Sequence, residues 1–164
     1  MTTRTFAPWV EPVATQLREG RSEIVRTARG LLPEHWSMPS ALPGWTYRDL
    51  LAHLAGDTGK GSLEVMRAAA DHRALDPRDF LEGADALNAR DVEQRRDRSV
   101  DELIAEIEAD GAQWQDLLSH LREGDGEMRW SGFPMSLGEY LRILVPHDRE
   151  HLAQLKSALD NVML

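Results

Sequence analysis

The chain has no cysteine among its 164 residues. That absence excludes disulfides, thiolate metal sites and any sulfur nucleophile of the protein's own. Positive charge is also scarce: 19 Lys and Arg face 28 Asp and Glu, for a formal net charge of −9. We expect no nucleic-acid partner, because a phosphate backbone demands a basic face. Long apolar runs are missing as well, since no run of hydrophobic residues exceeds three. A membrane-spanning helix and a secretory apolar core are therefore not expected. The opening stretch Met1-Thr-Thr-Arg-Thr-Phe-Ala-Pro8 has no targeting pattern, so the expected location is the cytoplasm. Strand-like alternation of apolar and polar residues is nearly absent.

What remains is helical. Ala, Leu, Glu and Arg dominate, and these residues lose little freedom in a helix. The length suggests one domain over residues 1–164, able to bury roughly 70% of its unfolded surface. Three capping boxes mark helix starts: Thr46-Tyr-Arg-Asp49, Ser99-Val-Asp-Glu102 and Ser136-Leu-Gly-Glu139. In each, a hydroxyl accepts from the backbone N–H three positions on, and the acid there reaches back. Four long helices follow, over about Pro8–Gly30, Tyr47–His72, Val100–Leu121 and Leu137–Leu159, each with an apolar stripe. The connection Ala74–Arg98 is too long for a tight turn and is expected to hold a short helix over about Ala84–Arg96. The predicted fold is an all-α four-helix bundle with a long crossover connection, in which neighbours need not alternate in direction. The Gly-rich segment Arg122–Met135, carrying Trp130 and Phe133, reads as a loop over one end.

The histidines carry the chemistry. His147 and His151 stand one turn apart, about 40° from each other on a helical wheel, and fall on the inner half of their helix. Two inward imidazoles are costly unless their nitrogens are satisfied, and a shared metal ion does so. Pro146 precedes the pair inside the predicted helix, so a kink is expected there. His53, at the inner edge of the second helix, is the third candidate, with Asp57 one turn along. His35, in a predicted loop, and His72 and His120, near helix ends, read as ordinary.

Two segments resemble the DinB/YfiT-like metalloenzymes. Leu42-Pro-Gly-Trp-Thr-Tyr-Arg-Asp-Leu-Leu-Ala-His53-Leu is similar to their first metal-ligand region. Pro146-His147-Asp-Arg-Glu-His151-Leu-Ala-Gln-Leu155 is similar to their second. The superfamily includes the metal-binding domain of mycothiol-dependent maleylpyruvate isomerase and the bacillithiol transferases. The resemblance implies a four-helix bundle with a crossover and a divalent metal held by His53, His147 and His151. It also implies a homodimer.

An all-histidine site leaves a position open on the ion, as catalytic sites do. Without cysteine in the chain, thiol chemistry must draw its sulfur from a small-molecule thiol, which a bound zinc or nickel ion would hold as thiolate for attack on an electrophile. The leading expectation is thus a metal-dependent S-transferase. The alternatives are a metal-dependent hydrolase, with Asp57 as base in preference to Asp148 or an outward Glu150, and a metal-binding, stress-associated bundle without turnover. Trp36, Trp45, Trp130 and Phe133 are candidates for the mouth of a pocket. Gly56-Asp-Thr-Gly-Lys-Gly-Ser62 lacks the spacing and the preceding strand of a phosphate loop. The mixed charges of Arg90–Arg98 read as a solvated helix face.

Overall fold

The computed structural model of the chain describes residues 4–56, 62–73, 84–129 and 135–160. Within them lie helices α1 (Glu11–Gly30), α2 (Tyr47–Gly56), α3 (Ser62–Ala70), α4 (Ala84–Gln94), α5 (Val100–Ser119) and α6 (Leu137–Asp160), with 3-10 turns at Pro33–Ser37 and Glu123–Glu127. The described residues form no strand, only an isolated antiparallel bridge between Pro39 and Thr46. The expected second helix corresponds to α2 and α3, whose junction lies outside the described residues. The short helix in the long connection is α4. The Arg122–Met135 segment begins with a 3-10 turn; Trp130 and Phe133 fall outside the described residues.

All three capping boxes form. The Thr46 N–H donates to Asp49 Oδ2 at 2.9 Å and the Asp49 N–H to Thr46 Oγ1 at 3.2 Å. Ser99 and Glu102 exchange bonds of 2.7 and 3.2 Å, and Ser136 and Glu139 bonds of 2.6 and 3.3 Å. Before α2, Pro43 and Gly44 occupy the central positions of a turn closed by Trp45 N–H to Leu42 O at 3.1 Å. Gly44 has φ of 80°, which a type II turn requires at that position and which favours glycine. Pro146 sits inside α6 without ending it, because the apolar positions continue in phase on both sides of it.

The helix stripes meet in two apolar clusters. One holds Leu17 of α1, Val65 and Met66 of α3, Trp114 and Leu118 of α5, and Leu141 and Leu144 of α6. The other holds Ile24 of α1, Leu50 and Leu54 of α2, Leu103 and Ile107 of α5, and Leu152 and Leu155 of α6. α1 and α6 therefore run from the first cluster toward the second, while α2, α3 and α5 run back. The order is not up-down-up-down, and the long connection through α4 is the crossover.

Between the clusters lies a charged layer. On α1 the stripe reads Leu17, Arg21, Ile24; on α5 it reads Ile107, Asp110, Trp114; on α6 it reads Leu144, Asp148, Leu152. Arg21, Asp110 and Asp148 are all buried. Arg21 Nε donates to Asp148 Oδ2 at 2.8 Å, Nη2 to Asp148 Oδ1 at 3.4 Å, and Nη1 to Asp110 Oδ2 at 3.3 Å. Removing one partner from such a buried pair costs on the order of 3–5 kcal/mol, because a charge is left uncompensated. Burial by itself would raise the Asp148 carboxyl's pKa; Arg21 and His147 together outweigh it and hold the group below the usual carboxylate value.

The Arg90–Arg98 stretch is not uniformly a solvated face. Arg95 is buried and its Nε donates to Glu106 Oε2 at 3.2 Å on α5. The crossing of α2 and α4 is close as well. A Cβ added to Gly56 would stand 2.6 Å from Asp91 Cβ and 3.2 Å from Arg95 Nη1. Gly56→Ala should therefore lower stability by about 1–3 kcal/mol, the usual cost of overpacking. Gly30→Ala, with nothing within 4 Å of the added methyl, should leave stability unchanged or raise it. Urea unfolding of the two variants checks both.

Candidate metal centre

The three histidines singled out in the sequence converge. His53 on α2 and His151 on α6 place their Nε2 atoms 3.2 Å apart, and those of His151 and His147 are 3.1 Å apart. All three donor atoms lie within 4.8 Å of one another. Imidazole nitrogens at about 2.0–2.1 Å from one tetrahedral ion stand roughly 3.3 Å apart, so the donor set fits such an ion. Three neutral rings cannot satisfy this arrangement among themselves. The His151 Nε2 faces two other ring nitrogens and offers a single lone pair.

Gln154, one turn along α6, fixes the tautomer of His151. His151 Nδ1 donates to Gln154 Oε1 at 2.7 Å. The proton thus sits on Nδ1, and the Nε2 lone pair points to the centre, as a metal-ligating histidine requires. Gln154 was missed in the sequence; its signal there is a polar amide three residues after a candidate ligand. His53 packs against Trp45 with ring centres 5.4 Å apart. The type II turn before α2 carries that indole to the site.

Burial differs among the three. His53 and His151 are buried. The His147 side chain is 41% exposed, so it stands at the edge of the site rather than fully on the inner face. The wheel treats α6 as an isolated cylinder, whereas this part of its surface is only partly covered by neighbours. Asp148, between the two ligand candidates, turns inward to Arg21, and its Oδ1 lies 3.7 Å from His147 Nδ1. Glu150 is exposed, as the wheel predicted. Asp57 lies outside the described residues.

A cleft of about 310 Å³ opens onto His53 and His151 and is lined by Leu42, Pro43, Trp45, Asn88 and Ala89. The close α2–α4 crossing brings Asn88 and Ala89 over the site. Of the aromatics expected at a pocket mouth, Trp45 is there. Trp36 instead packs in the second apolar cluster, and Trp130 and Phe133 lie outside the described residues. His35 is not a loop residue. It sits buried in the Pro33–Ser37 turn, where its Nδ1 accepts from the Leu32 N–H at 2.9 Å. His72 and His120 are not part of the cluster.

Burial pushes His151 below the ordinary imidazole value of 6.5, with His147 adding to the effect and Gln154 opposing it. Burial therefore favours the neutral ring, the form whose Nε2 lone pair a cation requires. The sign for stability follows. The unfolded chain takes up a proton as pH falls through 6.5, and the folded chain does not. The metal-free protein should thus lose stability as pH drops from 6.5 toward the lower folded value. Urea unfolding across that range should show the decline, and His151→Ala should flatten it.

No curated protein matches the chain significantly. A solved structure described as the crystal structure of the mycothiol-dependent maleylpyruvate isomerase matches with a TM-score of 0.73 at 20% identity. The match covers 94% of this chain and 63% of that one, so this chain spans less than two thirds of the length of that protein. At that identity the likeness bears on the fold, which is the helical arrangement described above. The family model for the mycothiol maleylpyruvate isomerase N-terminal domain matches residues 17–152. That stretch takes in all three histidines and the Arg21 layer, and the chain belongs to this family, within the DinB/YfiT-like superfamily.

Proposed function

We propose that this protein is a metal-dependent enzyme that transfers the sulfur of a low-molecular-weight thiol to an electrophilic carbon. The observation that carries the reading is the convergence of three imidazole Nε2 atoms, with His53 and His151 lining a cleft, in a chain without cysteine. His53, His147 and His151 would hold a divalent ion, zinc or nickel, since imidazole suits both. When bound, that ion supplies a Lewis acid that keeps a thiol deprotonated near neutral pH.

The chain's own residues do the rest. Gln154 keeps the His151 lone pair aimed at the centre. Trp45, Leu42 and Pro43 give the cleft an apolar wall that excludes water, and Asn88 offers it an amide. The S–H bond of the thiol breaks and a carbon–sulfur bond forms, while the leaving group of the electrophile, a halide in the case of an aromatic halide, departs with the electron pair of its bond to carbon. Asp57, four residues after His53, is the acid that the sequence offers as a base or as a partner supporting the site, and in this reading it would receive the thiol's proton. The family's name attaches mycothiol to its type member, which makes mycothiol the first thiol to test. A cytoplasmic homodimer is the expected working form. Among the described residues no helix is long and apolar enough to cross a membrane.

Elemental analysis of the purified protein should find about one equivalent of metal per chain, the stoichiometry of a single closed ligand set. His151→Ala should weaken metal binding by more than the ~10–100-fold typical of losing a supporting residue, with the helical circular dichroism retained. Cobalt-loaded protein should gain a sulfur-to-metal absorption band on adding mycothiol and should consume that thiol with an electrophilic aromatic halide. Metal-loaded protein that shows neither the band nor thiol consumption would sink the reading.

A further inference from the structure

One buried side chain ties together the two elements that carry the three histidines. Arg21 of α1 donates from Nη1 to the backbone oxygen of Leu54 at 3.2 Å, and Leu54 directly follows His53. The same guanidinium donates from Nε and Nη2 to both oxygens of Asp148, which lies between His147 and His151. Nη1 also donates to Asp110 Oδ2 on α5 at 3.3 Å. The N–H groups leave in one plane, at angles fixed by the guanidinium itself.

We propose that Arg21 is a positioning residue of the metal centre: its fork sets the separation between the His53 helix and the His147–His151 turn. The proposal rests on the three histidines holding a metal, and not on the thiol chemistry. Two features of the fold make such a brace useful. Pro146 has no N–H to donate within α6, immediately before His147, so the helix is held less firmly there by its own ladder. The His147 side chain is 41% exposed, so packing covers less of it than of the buried His53 and His151. Asp148, which is 3% exposed, supplies the anchor next to it. α1 itself contributes no ligand, yet it touches both ligand-bearing helices at the residues adjoining the ligands. Small errors in donor placement matter, because a tetrahedral ion tolerates distances only within about 0.2 Å.

Arg21→Lys separates this role from plain charge balance. Lysine keeps a positive charge between Asp110 and Asp148, but its three donors radiate from one nitrogen and lack the rigid planar fork that spans the Leu54 carbonyl and both oxygens of Asp148. The expected result is a folded variant whose Co²⁺ affinity, measured by competition with a chelator, falls about 10–100-fold. Its cobalt d–d absorption spectrum should also change shape, a readout that a purely structural role would not move. Wild-type affinity with an unchanged spectrum would overturn the proposal, even if the unfolding temperature of the metal-free variant drops. If Arg21→Lys does not fold, Asp148→Asn tests the α6 arm at constant volume. It should show the same two changes, and wild-type behaviour there would overturn the proposal equally. Wild-type protein that takes up no cobalt would overturn it together with the metal reading. Wild-type protein that binds cobalt but ignores thiols would defeat only the proposed reaction.

Discussion

The buried contact between Arg21 and Asp148 is the constraint around which the described part of the bundle is arranged. It sits where three helix stripes each exchange an apolar residue for a charged one, and those three residues meet. On either side the interior is apolar, with Leu17, Trp114 and Leu144 in one cluster and Ile24, Ile107 and Leu152 in the other. A charged layer between two apolar clusters adds little to stability, because desolvation offsets most of the attraction. It does specify register. A slip of one turn along α1 or α6 would bury the guanidinium and the carboxylates without partners.

That register decides the chemistry. Asp148 lies between the two α6 histidines, and Leu54, whose carbonyl accepts from Arg21, adjoins the histidine of α2. The layer and the metal centre are therefore two faces of the same level of the bundle. On one face Arg21 donates to Asp148, to Asp110 and to the Leu54 carbonyl. On the other, three Nε2 atoms face each other around one point, an arrangement that a divalent cation completes. The cleft with Trp45 and Asn88 gives a second molecule access from the same side.

Much of the candidate site was legible in the sequence. The i, i+4 histidine pair and its phase with the leucines of α6 placed two donors, and the inner-edge position of His53 placed the third. The capping boxes gave the starts of α2, α5 and α6 because that signal is purely local. Arg21, Asp110 and Gln154 were not picked out. A charged residue in an apolar stripe looks like an interruption until its partners are known, and those partners lie 89 and 127 positions away. The same holds for Arg95, which a run of mixed charges concealed and which the α4–α5 contact buries.

The sequence by itself determined the helices, their caps, the type II turn before α2 and the residue types able to hold a cation. These depend on neighbours within a few positions, where backbone geometry and side-chain reach settle the outcome. Only the tertiary structure decided that α2 and α6 face each other across the histidines, and that α1 braces both without contributing a donor. It also decided that His147 stays at the rim while His151 is buried. Those outcomes depend on which stripes pack together and in which direction, and helix periodicity carries no information about the partner of a stripe.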